Sequence, residues 1–282
     1  MEDRITKHKL PNGLLILLKK IHTAPIISQW VWYRVGSRDE GPGVTGISHW
    51  VEHMQFKGTL QFPGGVLDKL ISREGGQWNA FTYLDWTTYF ETMPAEKIDL
   101  ALRLEADRMQ HSQFDPQEVA SERTVIISER QGAENEPLFL LTEALHKAAF
   151  EVHPYGHEVI GEMEDLRTMG RDDLFNHYRS YYVPNNAVVA LAGDFQTDDM
   201  LARLEALYAD IPRGEEPARQ KLVEPAQSQE RSLIVDGPGE TTYIKVGWQV
   251  PEATHPDFWP LTVMDSLLTG PSTLSATSPS RD

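Results

Sequence analysis

The stretch "GISHWVEHMQFKGT", residues 46–59, places two histidines and a glutamate within five positions. Successive residues of an α-helix turn by about 100°, so His49, Glu52 and His53 would share one helix face. Two imidazoles four residues apart can bind one Zn²⁺, and a glutamate beside them can activate a water molecule. A histidine pair at this spacing is more often a solvated helix face, so the downstream sequence has to distinguish the two interpretations.

A second helix offers carboxylates that could complete a metal site. It is predicted to begin at Pro116, with Asp115 as its N-cap. Glu122 and Glu129 on this helix are seven residues apart, which is two turns, so they share a face. They are either a solvated charged pair or inward carboxylates that need a partner. The apolar run at 125–127 favours the inward orientation, because it indicates a largely buried helix.

Composition restricts both ligands and partners. The chain has 282 residues, of which 40% are hydrophobic and 24% charged, as in ordinary soluble domains. Its net charge of −16 argues against nucleic acid or an anionic membrane surface as the main partner. The absence of cysteine excludes disulfides and thiolate ligands. The apolar run at 14–18 is too short for a signal peptide or a membrane span, so we expect a soluble protein and favour the cytoplasm.

Strand and helix patterns alternate along the chain and predict a mixed α and β protein. The stretches "NGLLILLKK", "APIISQWVWYRVGS", "NAFTYLDWTTYFETM" and "NNAVVALAGDF" have the β-branched and aromatic character of strands. Apolar spacing of three and four residues predicts an amphipathic helix near 98–109. Further helices are predicted near residues 64–74, 137–150, 164–179 and 197–210.

Changes in composition predict three parts of the chain. Residues 1–212, which contain both candidate ligand helices, are predicted to form one domain, and the polar segment 213–231 a linker. Residues 232–282 begin with two strand-like runs followed by a helix, as the first domain does, and indicate an incomplete second homologous domain. Its Ser/Thr/Pro-rich end, after Gly270, is predicted to be disordered.

Five ordered blocks of sequence between residues 46 and 195 resemble one peptidase family. The sequence HWVEH at residues 49–53 is the H-x-x-E-H pattern of the inverzincins. Together with "GGQWNAFTYLDWTTYF", "SERTVIISE", "HPYGHEVIG" and "YYVPNNAVVALAGDF", it resembles the pitrilysin/insulinase family, which includes mitochondrial processing peptidase. Residues 232–270 resemble, more weakly, the start of that family's second repeat.

The resemblance implies a fold and a metal site. The fold is α+β, with a mixed β-sheet, helices packed on one side, and a metal cleft between two long helices. One Zn²⁺ per chain would be held by His49, His53 and Glu129. Glu52 would be the general base that activates zinc-bound water, and Glu122 would orient a ligand histidine by accepting its other ring N–H.

The resemblance also implies a substrate and a reaction. Asn79 and Ala80 match positions on an edge strand that pairs with an extended peptide. The expected activity is a zinc-dependent endopeptidase that cuts short or unfolded polypeptides. Two alternatives are a non-catalytic binding or scaffold subunit of a two-subunit processing peptidase and a different metal-dependent hydrolase. No match is found for the Arg-Tyr pair of the family's second half, so a second homologous half or subunit is an expected partner.

Two other groups of residues receive a structural interpretation. His153 and His157 have the same spacing as His49 and His53, but Pro154 and Gly156 between them disfavour a continuous helix, so we predict a loop. Four tryptophans are more typical of a core or a substrate wall than of a cofactor site. These are Trp30, Trp32, Trp78 and Trp86.

Overall fold

A mixed six-stranded β-sheet organises the first part of the chain. The computed structural model describes residues 5–219, 222–237 and 240–269. The strands are β1 (Thr6–Lys9), β2 (Leu15–Lys20), β3 (Ile26–Tyr33), β4 (Gln77–Thr82), β5 (Thr87–Pro94) and β6 (Ala187–Gly193). Their order in the sheet is β1-β2-β6-β3-β5-β4. β2 and β6 are parallel and the other neighbours antiparallel, so β1 and β4 form the two edges.

The two faces of the sheet have different environments. Side chains alternate between fully and partly buried along β3 and β6, as a strand with one packed face requires. Val31, Tyr89 and Val189 on the buried face are completely inaccessible and belong to the hydrophobic core with the helices. The opposite face carries stacked, half-buried rings, including Trp30 with its centroid 4.3 Å from that of Phe90. The α+β prediction, with helices on one side of a mixed sheet, is confirmed.

The predicted helices are present, with one division. They are α1 (Ile47–Met54), α2 (Leu67–Arg73), α3 (Asp99–His111), α4 (Pro116–Glu134), α5 (Pro137–Ala149), α6 (Met163–Thr168), α7 (Arg171–Tyr181), α8 (Thr197–Tyr208) and α9 (Phe258–Thr269). The single helix predicted at 164–179 is two helices, because the backbone of Gly170 is extended and its N–H donates to Asp173 at the start of α7. None of the described helices is long and apolar enough to cross a membrane.

The helix that carries HWVEH is shorter than the family resemblance implied. α4 has 19 residues, but α1 has only eight. The chain turns after Met54 and reaches Gly58, whose φ of 95° favours glycine and whose backbone pairs with Pro63. The two long helices expected at the cleft are therefore one long helix and one of two turns.

The described parts of the segment predicted as a linker, 213–231, lie within the first compact unit and contact residues 151–153. The carboxylate of Glu224 accepts the backbone N–H groups of Glu151, Val152 and His153 at 2.6, 3.0 and 2.8 Å. Arg231 pairs with Glu151 at 2.7 Å. The first unit extends to Tyr243 and a second begins at Ile244. The division at 212 and 232 stays a prediction.

The strand-like runs within 232–250 form no strand in the residues that the structure describes there, 232–237 and 240–250. Ile234 is 94% exposed and Trp248 is 79% exposed. A strand requires hydrogen bonds to a neighbouring strand, so a suitable pattern alone does not produce one. The helix predicted after them is confirmed as α9, and the tail predicted to be disordered lies outside the described residues.

We expect Glu224→Ala to accelerate hydrogen exchange at the amides of residues 151–153, because these amides lose a charged acceptor. The acceleration should be about tenfold or more at each amide. Exchange can be followed by mass spectrometry on short peptides. Glu215→Ala, which alters an exposed glutamate of the same segment, is the control and should leave these amides unchanged. Equal protection in both variants would contradict the contact.

Candidate metal centre

Buried hydrogen bonds hold the N-terminus of α1 in place. The carboxylate of Glu40 accepts the N–H groups of Gly46 and Ser48 at 2.8 and 2.9 Å. Asp165 accepts both the N–H and the hydroxyl of Thr45, at 3.0 and 2.6 Å. Gly46 has a φ of 86°, and a Cβ there would lie 2.4 Å from the carbonyl oxygen of Ile160. The chain therefore enters α1 along a path that only glycine permits at residue 46.

α1 and α4 bring two histidines and a glutamate together. The rings of His49 and His53 have their centroids 4.6 Å apart. Oε2 of Glu129 lies 3.9 Å from Nε2 of His49 and 3.8 Å from Nε2 of His53. One ligand atom from each residue lies within 4.8 Å of the other two. The structure thus assembles, from two helices, the three residues that the resemblance implied as ligands.

The three ligand atoms are spaced somewhat more widely than a bound tetrahedral Zn²⁺ would hold them. Ligands about 2.0–2.1 Å from a tetrahedral Zn²⁺ lie about 3.3 Å from one another. The two measured nitrogen–oxygen distances, 3.9 and 3.8 Å, exceed that value by about half an ångström. The half-exposed Glu129 side chain would have to move toward the histidines by about that amount on binding the ion. Two imidazoles and one carboxylate are also a ligand set that zinc accepts, with a fourth position left for water or substrate.

Glu122 orients one of the histidines. Its Oε1 lies 2.8 Å from Nδ1 of His53, and because a carboxylate only accepts, that nitrogen carries the proton. The lone pair of the His53 ring is then on Nε2, which faces Glu129. Oε2 of the same Glu122 carboxylate lies 2.5 Å from Nζ of Lys57. Glu122 therefore bridges a ligand candidate and a lysine.

The pKa values of the two imidazoles are shifted in opposite directions. Burial, with a smaller contribution from the neighbouring His53, lowers the pKa of His49 to about 3, so the His49 ring is neutral and able to bind a cation. Burial also acts to lower the pKa of His53, but the hydrogen bond with Glu122 and nearby carboxylates outweigh it and raise this pKa overall. A metal ion at Nε2 of His53 would compete with a proton there.

Glu52 points into the same cleft without joining the three candidate ligands. Its side chain is nearly buried, and Oε2 accepts the hydroxyl of Thr82, the last residue of β4, at 2.6 Å. Burial raises the pKa of Glu52, while the Thr82 hydrogen bond and His53 act in the opposite direction. A carboxyl with a raised pKa beside a metal site is suited to accept and return a proton.

β4 presents an open backbone edge beside these groups. It pairs with β5 on one side only. The backbone N–H of Ala80 donates to the side-chain oxygen of Asn79 at 2.9 Å, so the Asn79 side chain occupies this donor. Asn79 is exposed and Ala80 is buried. Both residues therefore lie on the edge strand where the resemblance placed them.

A cleft of about 470 Å³ connects the metal ligands to the edge strand. One part of its lining is polar, from α1, α4 and the end of β4. Another part is apolar, from β4, α5 and the loop before α6. The lining residues are His49, Glu52, His53, Ala80, Phe81, Thr82, Glu129, Ala133, Phe139, Glu158, Val159 and Ile160.

Three supporting residues were missed by sequence reasoning, two of which had a usable signal. Thr82 is two residues after Ala80 on the same strand, so a common strand face could have been inferred. Lys57 follows His53 by four residues, the spacing that was used for the histidine pair. Glu40 had no such signal, because its partners depend on how the loop before α1 folds.

The second histidine pair lies in a loop, as predicted. Pro154–Gly156 form a single 3₁₀ turn between His153 and His157. Nε2 of His157 is 3.8 Å from Oε2 of Glu40, and the ring of His153 is 4.2 Å from that of Tyr155. Among the described residues, neither histidine belongs to a group of three potential metal ligands.

Two family models match the chain. Residues 15–163, more than half of the chain, match the insulinase family, peptidase family M16. Residues 168–280 match the model described as the peptidase M16 inactive domain. The second match begins within α6, so it includes α7, β6 and α8 of the first compact unit as well as the residues that follow.

Relatives with assigned names are similar over almost the whole chain. The probable mitochondrial-processing peptidase subunit beta of Arabidopsis thaliana is 30% identical over 271 residues, which are 95% of this chain and 50% of that protein. The zinc protease PqqE of Helicobacter pylori is 30% identical over 275 residues, which are 95% of this chain and 62% of that protein. The chain therefore spans about half to two thirds of the length of these relatives.

Solved structures have the same fold. A protease from Helicobacter pylori superposes with a TM-score of 0.76 at 30% identity, covering 79% of this chain and 55% of that one. The first half of the periplasmic protease PqqL from Escherichia coli has a TM-score of 0.72 at 24% identity, covering 81% and 50%, which supports the fold alone. The chain belongs to the insulinase family of peptidases, family M16.

Proposed function

We propose that this chain supplies the catalytic half of a zinc-dependent endopeptidase that hydrolyses short or unfolded polypeptides. The observation that carries the proposal is the convergence of His49, His53 and Glu129 within 4.8 Å, in a cleft that Glu52 also lines. The names of relatives, among them zinc protease PqqE, support the metal and the class of reaction.

His49, His53 and Glu129 would hold one zinc ion per chain. When bound, zinc polarises the scissile carbonyl and makes a water molecule more acidic. The three protein ligands leave a coordination position free, as catalytic zinc sites require. Glu122 fixes the ring of His53 and so keeps one of the three ligands oriented.

Glu52 acts as the base. It accepts a proton from the water molecule as the water oxygen attacks the carbonyl carbon, and it returns that proton to the leaving nitrogen as the C–N bond breaks. The hydroxyl of Thr82 keeps one oxygen of Glu52 hydrogen-bonded and restricts the side chain to the cleft. The raised pKa of Glu52 suits both steps, because the group must take up and release a proton in turn.

The substrate would bind as an added strand on β4. Such pairing requires an extended backbone, which short or unfolded polypeptides provide. The N–H of Ala80 becomes available to the substrate when the side chain of Asn79 rotates away from it. The apolar wall formed by Phe81, Phe139 and Ile160 can contact substrate side chains.

A second homologous half or subunit would complete the substrate chamber. The relatives are longer than this chain, and one is named as a subunit of a processing peptidase. The alternative function, a non-catalytic binding or scaffold subunit, is disfavoured by the presence of both histidines, Glu129 and Glu52 in one cleft. A subunit that only binds peptide has no need of a buried base beside a metal ligand set.

The chain should bind one zinc ion, and His53→Ala should abolish stoichiometric binding at micromolar protein, because two ligands are too few to hold the ion. Glu129→Gln should weaken binding strongly, since a neutral amide replaces a charged oxygen ligand. Zinc is measured by elemental analysis after gel filtration. His111→Ala, which removes a histidine paired with Asp107 on α3, is the matched control and should keep full zinc. Full zinc in His53→Ala would refute this ligand set.

Glu52→Gln should retain zinc and peptide binding but lose peptide cleavage by a factor of ~10²–10⁴, because the amide cannot accept the proton. Cleavage of a quenched fluorescent peptide is compared in the assembly that is active, whether the chain alone or the chain with its second homologous half. Glu96→Gln, an exposed glutamate outside the cleft, is the control. Equal turnover by the parent and Glu52→Gln would exclude Glu52 as the base.

Pairing of the substrate with β4 predicts that N-methylation of the peptide backbone weakens binding at every second residue. Successive N–H groups of a strand point to opposite sides, so only every second one can donate to the β4 edge. Affinity is measured with the cleavage-deficient Glu52→Gln variant and a series of peptides, each carrying one N-methyl group. A uniform effect at all positions, or none, would contradict strand addition.

A further inference from the structure

We propose that Lys57 is a positioning residue for the metal site, which it influences by holding Glu122 against His53. The inference rests on the proposed function, since it concerns the same zinc site. Neither Lys57 nor its neighbours Phe56 and Gly58 lines the cleft. Lys57 would therefore act on the metal through the Glu122 carboxylate, which it contacts more closely than its other carboxylate neighbour, Glu118, at 3.9 Å.

The two oxygens of Glu122 have separate partners. Oε1 faces Nδ1 of His53 at 2.8 Å, and Oε2 faces Nζ of Lys57 at 2.5 Å. A carboxylate with a hydrogen bond at one oxygen and an ion pair at the other cannot rotate about its terminal bond without losing one partner. The lysine ammonium therefore fixes the position of Oε1, which accepts the proton on Nδ1 of His53. This hydrogen bond in turn fixes the orientation of the His53 ring, and so the direction in which its Nε2 points.

Burial makes this ion pair different from an ordinary surface pair. The side chain of Glu122 is 6% exposed, whereas that of Lys57 is 30% exposed. A buried carboxylate needs several donors to replace the water that it loses, and His53 provides only one. Lys97 and Glu74 form a comparable lysine–glutamate contact at 3.2 Å, but with side chains 44% and 27% exposed. Exposed pairs of that type contribute little to stability or orientation.

The backbone that carries Lys57 is itself held. Its N–H donates to the carbonyl of Met54 at 3.1 Å, directly after α1. The ring of Phe56 packs against that of Trp78, with centroids 4.7 Å apart and the planes tilted by 57°. A Cβ on Gly64 would lie 2.4 Å from the carbonyl oxygen of Lys57, so the neighbouring loop packs tightly on this turn. The side chain of Lys57 thus reaches Glu122 from a well-packed turn of backbone.

The test is the zinc affinity of the full chain, measured by competition with a chromophoric chelator. We expect Lys57→Met to weaken zinc binding by ~10-fold, the lower end of the range for groups that orient a ligand. Lys57→Arg should recover affinity to within about threefold of the parent, because the guanidinium can also donate to a carboxylate. Lys97→Met is the matched control and should bind zinc as the parent does.

A double-mutant cycle separates positioning from a general effect on the fold. In a Glu122→Gln background, Lys57→Met should cause almost no further loss of zinc affinity, because its only route to the metal is gone. In Co²⁺-loaded protein, the visible absorption bands should change in Lys57→Met and not in Lys97→Met. Lys57→Gln is measured alongside, so that loss of the fold in Lys57→Met leaves the comparison intact.

The outcomes distinguish this inference from the proposed function. A parent chain that binds no zinc would overturn the proposed function. A parent that binds zinc, with Lys57→Met or Lys57→Gln equal to it, would overturn the role of Lys57 alone. Equal losses from Lys57→Met in the parent and Glu122→Gln backgrounds would also overturn it, since Lys57 would then act by another route.

Discussion

The packing of α1 against α4 is the contact on which the candidate site depends. α1 has eight residues, fewer than an isolated helix needs for stability in water, so its place is imposed by tertiary contacts. Trp50 and Val51 are completely buried on one side of it. On the other side, His53 meets Glu122 at 2.8 Å. A shift of one turn, about 5.4 Å, between the helices would separate both histidines from Glu129.

Features set by local sequence were predicted well, and those set by distant contacts were not. The strands of the central sheet and the helices follow from apolar periodicity and from caps such as Asp115, which accepts the N–H of Gln117 at 2.8 Å. The shortness of α1 was missed, because apolar periodicity does not mark where the chain turns after Met54. The break at Gly170 was also missed, although the glycine and Asp173 three residues later are a local signal for it. In the runs within 232–250, strands were predicted, and the described residues there form none. Their pattern suits strands, but pairing partners decide whether a strand forms.

The same distinction applies to the candidate site. The spacing of His49, His53 and the glutamates on α4 identified which residues could share a helix face, and the resemblance proposed which of them meet. Spacing could not reveal Glu40 beneath α1, because that contact joins residues up to eight positions apart through a loop. Spacing places Thr82 on the same strand face as Ala80, but it does not show that the Thr82 hydroxyl meets Glu52, 30 residues away. Such supporting residues depend on the path of the backbone, which only the three-dimensional structure provides.

Electrostatics connects the supporting contacts with the chemistry proposed for the cleft. Burial raises the pKa of Glu52, which makes it a stronger base, and lowers the pKa of the His49 imidazole, which keeps that ring neutral. Glu122 differs, because hydrogen bonds with His53 and then Lys57 outweigh its burial and lower its pKa, which keeps it ionised. Glu122 is thus stabilised as an anion that orients the ligand candidate His53, while Glu52 has a pKa suited to accepting and returning a proton. Two glutamates near one metal site can therefore have different roles because their partners differ.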